Sequence, residues 1–203
     1  MNEIKVIVFD LGNVFLKFDY NIILTRLNKI EAGLGDKFFK LYADNYDIHS
    51  KFEKWEITTE EFTNIVMGWL ENKISLDQFH DIYSNIFTPD DDVINLLPKL
   101  KENYRLFLLS NTNYIHQKYG WEKYNFYHHF EKLILSHEVG AAKPDRKIYE
   151  AVQNITGEKP EAHLFIDDIE ENVDGARSLG WDGIQFTGYD NLISEFEKRN
   201  ITL

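Results

Sequence analysis

Apolar positions along this chain come in short runs that stop abruptly at polar residues. Ile4-Lys5-Val6-Ile7-Val8-Phe9 ends at Asp10, and the chain turns at once through Leu11-Gly12-Asn13-Val14. Four later runs behave in the same way. Arg105-Leu106-Phe107-Leu108-Leu109 leads into Ser110-Asn111, and Lys132-Leu133-Ile134-Leu135 leads into Ser136. His163-Leu164-Phe165-Ile166 leads into Asp167-Asp168, and Gly183-Ile184-Gln185-Phe186 ends near Thr187. Near-continuous β-favouring runs of this length read as buried parallel strands. Helical periodicity fills the intervals at 93–101, 147–154, 172–179 and 192–198. Pro144 suits a first helical turn, and Gly157 and Gly180 suit helix stops. Strands alternating with helices in this way predict an α/β fold, a doubly wound parallel sheet of Rossmann-like type.

The stretch 15–87 breaks the alternation. It holds no convincing strand and reads as helices, with Thr58-Thr59-Glu60-Glu61-Phe62 resembling a capped helix start. No Pro/Gly/Ser-rich linker bounds it. The expected organisation is therefore a catalytic core from 1–14 and 88–203, with 15–87 inserted as a small helical cap. The aromatics Phe38, Phe39, Tyr42, Tyr46, Phe52 and Trp55 are expected to fill the cap's interior. Asp90-Asp91-Asp92 is expected to start a helix, where its charges suit the dipole.

Composition narrows the function. The chain has 203 residues, 43% hydrophobic, which is enough to bury a substantial core. A net charge of −12 argues against nucleic acid or an anionic membrane as partner. An acidic protein accepts a small phosphorylated metabolite only where a local cation offsets repulsion. The absence of cysteine excludes thiolate catalysis, thiolate zinc sites and disulfides. No apolar run approaches 18 residues and no signal segment opens the sequence, so a cytoplasmic location is expected. The oligomeric state is not legible.

In a parallel sheet all strand C-termini share one edge, where open α/β sheets bind ligands. Asp10, Ser110-Asn111 and Asp167-Asp168 should converge there, with Lys143 reaching the same edge from the loop after Gly140-Ala141-Ala142. Clustered carboxylates raise each other's pKa unless a cation is present. Mg²⁺ is the natural choice, since it favours oxygen ligands and a substrate phosphate. The set suits phosphoryl transfer. Asp10 would attack phosphorus to form an aspartyl-phosphate, while Ser110, Asn111 and Lys143 hold the phosphate oxygens.

Four segments together, Val8-Phe9-Asp10-Leu11-Gly12-Asn13-Val14, Leu109-Ser110-Asn111, Lys143-Pro144 and Phe165-Ile166-Asp167-Asp168, resemble the haloacid dehalogenase superfamily in order and context. The likeness spans essentially the whole chain and implies a Mg²⁺-dependent phosphatase. The Phe-Asp-Leu-Gly-Asn-Val and Leu-Ser-Asn-Thr-Asn strings look like a bacterial subgroup that includes glucose-1-phosphate phosphatase. By resemblance, Asp10 is nucleophile and metal ligand, the Gly12 carbonyl a further ligand, and Asp168 a direct ligand. Asp167 would bind directly or at one remove, and Asn172 would orient the metal's surroundings. One departure stands out. Phosphatases of this superfamily usually carry a second aspartate, a general acid and base, where this chain has Gly12. A cap group (Glu53 or His49) or a leaving group as acidic as an anomeric hydroxyl would compensate. A 2-haloacid dehalogenase also lacks that aspartate, but it needs no metal and lacks an acidic pair like Asp167-Asp168. A mutase is weaker still, since it depends on the missing proton carrier. A phospho-ligand-binding module without turnover is the reading outside enzymology.

Overall fold

The computed structural model describes residues 3–203. Five strands form one parallel sheet: β1 (Val6–Phe9), β4 (Arg105–Ser110), β5 (Lys132–Leu135), β6 (His163–Asp167) and β7 (Asp182–Gln185), in the order β5-β4-β1-β6-β7. The register sets Phe9 beside Leu108 on one side and Ile166 on the other, which brings the ends of the three central strands level. Both faces of the sheet are covered, which is why its strands read as unbroken apolar runs. Ile7, Phe9, Leu106, Leu108, Leu164 and Ile166 pack on one face against α6 (Asp91–Ile94), α7 (Leu97–Asn103) and α11 (Tyr189–Lys198). Val6, Val8, Phe107, Leu109 and Phe165 point the other way, onto α9 (Arg146–Thr156) and α10 (Glu170–Arg177).

Five helices follow β1: α1 (Asn21–Ile30), α2 (Leu34–Asp44), α3 (Tyr46–Glu53), α4 (Thr59–Trp69) and α5 (Leu76–Ser84). They bury a separate core in which Phe38, Phe52, Phe62, Phe79 and Tyr83 are at most 2% exposed. Of the aromatics expected inside this unit, Tyr46 and Trp55 are instead exposed. The anticipated capping box forms at Thr58 and Glu61, and a second forms at Ser75 and Gln78.

Two short strands flank these helices, β2 (Leu16–Phe18) and β3 (Phe87–Pro89), paired antiparallel. The expectation of no strand in 15–87 is corrected here. Three residues per strand carry too little periodicity to be seen, and the pair closes the base of the insertion. Pro144 is also placed differently from expectation. It follows a cis peptide bond with Lys143, and α9 begins only at Arg146, capped by the Asp145 side chain. Gly157 does end α9 in a left-handed conformation. Asp90 stands at the start of α6, but its carboxylate pairs with Lys17 at 2.7 Å instead of capping the helix. Among the described residues, no helix is long and apolar enough to cross a membrane.

Candidate active site

Asp10 follows β1 directly, and its backbone N–H donates to the Ile166 carbonyl at 2.8 Å, which ties the turn to β6. Ser110 and Asp167 are the last residues of β4 and β6. The sheet order puts all three at one edge, where the chain's course switches sides around β1. Lys143 reaches them from the loop between α8 (Ser136–Val139) and α9. Its Nζ donates to Asp10 Oδ1 at 2.5 Å and to Asp167 Oδ2 at 2.6 Å. Lys143 and Asp10 are 6% and 7% exposed and Asp167 not at all, so this bridge lies out of water.

The main chain of Lys143 is fixed by Asn111. Asn111 Nδ2 donates to the Lys143 carbonyl at 3.0 Å, and the Lys143 N–H donates to Asn111 Oδ1 at 2.7 Å. The Asn111 amide thus makes one hydrogen bond from each end to the Lys143 main chain and positions that residue. Ser110 differs, since its hydroxyl makes only a 3.5 Å contact with the Asn111 carbonyl.

Asp168 is half-buried and accepts from Asn13 Nδ2 at 2.9 Å. Asp167 accepts from the Ile169 N–H at 2.9 Å and from Asn172 Nδ2 at 3.1 and 3.2 Å. Tyr149 in turn donates to the Asn172 carbonyl at 2.7 Å. Oxygens of Asp10, Asp167 and Asp168 lie within 4.8 Å of one another. At Gly12 the turn's hydrogen bonds pass by the carbonyl: Asn13 N–H donates to Leu16 O, and Leu16 N–H to Leu11 O. A Cβ built on Gly12 would stand 3.0 Å from Phe18 Cε1 and 3.8 Å from Asp10 Oδ2. The Phe18 ring thus fills the space that a side chain at residue 12 would use.

One ammonium faces three carboxylates, and the electrostatics follow. Burial pushes the Asp10 carboxyl up to about 7, with Lys143 opposing the rise and the Asp167 charge adding to it. Burial also raises Asp168, against the hydrogen bond from Asn13. Desolvation works against the Lys143 ammonium, but its two carboxylate partners outweigh it and hold the group above its ordinary value. A buried set of oxygen donors short of positive charge fits a hard dication.

Sequence reasoning singled out the strand-end groups and one support, Asn172, but not the others. Ser136 Oγ accepts from the Thr112 N–H at 2.9 Å and donates to the Thr112 carbonyl at 2.8 Å, which fixes the loop beyond Ser110. Its place at the end of a strand was the available signal. Asn13 and Phe18 carried none, because their contacts depend on how the turn after β1 folds back.

A family model described as haloacid dehalogenase-like hydrolase matches residues 4–180. The chain is 25% identical to D-ribitol-5-phosphate phosphatase of Bacteroides thetaiotaomicron over 90% of its own length and 91% of that protein's. It is 28% identical to glyceraldehyde 3-phosphate phosphatase of Methanothermobacter thermautotrophicus, over 89% and 84% of the two lengths. Among solved structures, a haloacid dehalogenase family enzyme of B. thetaiotaomicron, in complex with magnesium and inorganic phosphate, superposes with a TM-score of 0.81. The two are 32% identical, and the match covers 92% of this chain and 96% of that one.

Proposed function

The chain belongs to the haloacid dehalogenase-like hydrolases, and on that premise we propose that it is a Mg²⁺-dependent phosphomonoesterase acting on a small polyol or sugar phosphate. The observation that carries this reading is the Lys143 bridge between Asp10 and Asp167, with Asp168 beside it. It supports a nucleophile held next to an acidic metal site, which a dehalogenase has no need of. The relatives add the substrate class, since two of them are named for a pentitol phosphate and a triose phosphate. An anomeric phosphate such as glucose 1-phosphate belongs to the same broad class.

Asp10, Asp167, Asp168 and the Gly12 carbonyl would hold Mg²⁺, which when bound supplies the positive charge that lets an anionic phosphate approach an anionic nucleophile. The chain's own residues do the rest. An Asp10 oxygen attacks phosphorus as the bond to the leaving oxygen breaks, giving an aspartyl-phosphate. Lys143 keeps Asp10 aimed and offsets charge on the phosphoryl oxygens, and the Ser110 hydroxyl donates to one of them. Water then attacks phosphorus, releasing inorganic phosphate and restoring the Asp10 carboxylate. Asn111 acts through Lys143, and Asn172 acts through Asp167. With Gly12 no core carboxyl protonates the leaving oxygen, so acidic leaving groups should react fastest.

The test is hydrolysis of p-nitrophenyl phosphate. Turnover that requires Mg²⁺, stops with EDTA and is lost in Asp10→Asn supports the reading. Halide release from a 2-haloacid without metal, with no phosphate hydrolysis, would overturn it.

A further inference from the structure

The three carboxylates of the acidic site are held unequally. Asp167 accepts from the Lys143 ammonium, the Ile169 N–H and the Asn172 amide, so several partners fix its position. Asp10 is tied to the same ammonium. Asp168 depends on a single side chain. Its Oδ2 accepts from Asn13 Nδ2 at 2.9 Å, and among the described residues no other side chain donates to it. The Asp168 carbonyl accepts from Gln185 Nε2 at 3.2 Å, which steadies the main chain but not the carboxylate. Asp168 is only half-buried, so water competes for whatever Asn13 does not hold.

The residue that supplies this bond has an uncommon backbone. Asn13 has a φ of 52°, in the left-handed region that side chains other than Asn and Asp rarely adopt. Its N–H donates to the Leu16 carbonyl at 2.8 Å, closing the turn that follows β1. Glycine would meet that backbone demand at least as well. Asparagine adopts the same conformation and adds an amide, which reaches Asp168 at the far end of β6. Its side chain makes that one hydrogen bond among the described residues. The backbone of Asn13 serves the turn, whereas its amide serves the acidic site.

We infer that Asn13 is a positioning residue for Mg²⁺, orienting the Asp168 carboxylate and so setting the affinity for the ion. The inference rests on the phosphatase reading, in which Asp168 is a metal ligand, and adds a residue outside the ligand set. An amide that donates to one carboxylate oxygen leaves the other for the cation. It also fixes the side chain before the ion arrives, which removes the cost of ordering it on binding.

The experiment is calorimetric titration of Mg²⁺ into wild type, Asn13→Gly and Asn13→Ala, with melting temperatures of the metal-free proteins alongside. Both variants lose the amide, but glycine suits the left-handed backbone and alanine does not. The expected result is a Kd for Mg²⁺ raised about 10–100-fold in both, the usual effect of removing a group that supports a metal ligand. Without metal, Asn13→Ala should melt below Asn13→Gly, which separates backbone strain from the lost amide. Turnover of p-nitrophenyl phosphate lost at low Mg²⁺ should return as Mg²⁺ is raised. A role confined to the turn predicts another pattern: Asn13→Gly binds Mg²⁺ like wild type and only Asn13→Ala is impaired. That result would overturn the inference, as would a wild type that takes up no Mg²⁺. The titration needs no turnover, so it decides the inference even where no phosphate is hydrolysed, a result that overturns the phosphatase reading alone.

Discussion

At the scale of single residues, Lys143 is the residue on which the site's balance depends. It is the one cation beside the site's three carboxylates, two of them buried, so removing its charge leaves Asp10 and Asp167 unpaired out of water. Such a loss typically costs about 3–5 kcal/mol. Lys143→Met, which keeps the apolar stem, should show that drop in urea unfolding without metal and a larger thermal shift on adding Mg²⁺ than wild type shows. Equal stability in the two proteins would refute the charge argument. Gly12 and Phe18 form the second pair of interest. The Phe18 ring stands 3.0 Å from the Cβ position of residue 12 but is 36% exposed, so it has room to yield. Gly12→Asp should therefore raise turnover of a simple alkyl phosphate by about 10²-fold, the contribution of a positioned acid, and Gly12→Asp with Phe18→Ala by more. Aryl phosphate turnover, which needs little protonation, is the control that should barely change. Asp10, Ser110, Lys143, Asp167 and Asp168 were legible as residues, because each ends an apolar run or lies in the loop beyond one. Phe18 was not, since its role comes from a ring folded back over a glycine.

At the scale of elements, the strands of the main sheet could be read because both faces are covered and their inner positions are mostly apolar. The stem strands β2 and β3 could not, being three residues long and defined by each other. The loop after β4 is held by Ser136 Oγ, which is fully buried and makes two hydrogen bonds to Thr112. Ser136→Ala leaves the buried Thr112 N–H without a partner and its carbonyl with only the His137 Nδ1 contact, at about 1–3 kcal/mol in chemical unfolding. The same change should lower kcat, because Ser110 and Asn111 lie on the loosened segment. A close approach between helices sets a further limit. A Cβ at Gly175 in α10 would meet the Tyr149 hydroxyl at 2.8 Å and Pro144 Cβ at 3.1 Å. Gly175→Ala therefore pushes on the groups that carry Asn172 and Lys143, and overpacking of this kind costs about 1–3 kcal/mol. Helix propensity alone predicts the opposite sign, so a melting temperature decides between them.

At the scale of the whole molecule, a parallel sheet and a helical insertion with its own core meet along the segment after β4, where the Ser84 hydroxyl donates to the Ile115 carbonyl at 3.1 Å. The insertion's position was legible from where the alternation of strands and helices stops. Its inner polar network was legible only in part: His49 and Glu53 stood out as ionisable, but the contacts of His49 with Tyr42 and Tyr83 arise only when the helices pack. Where the two parts touch, His116 stacks on Tyr83 with ring centres 4.4 Å apart, and burial pulls its pKa down to about 3. The unfolded chain binds a proton there below about 6.5, whereas the folded protein does not until about 3. Stability should accordingly fall as pH drops through that interval, by up to about 1.4 kcal/mol per pH unit from this group. His116→Phe, which keeps the stack and removes the titration, should flatten the acid limb of stability against pH. An unchanged slope would show that the ring is not held neutral. The central claim is that Asp10, Lys143, Asp167 and Asp168 form one phosphoryl-transfer site in which Asp10 is the nucleophile. It is tested most directly by acid-quenching the enzyme during turnover of an aryl phosphate with Mg²⁺ and examining its peptides by mass spectrometry. The account predicts a transient phosphoryl increment on the peptide carrying Asp10, absent with EDTA and in Asp10→Asn. Full phosphate release with no label on that peptide, or with label on another residue, would contradict it.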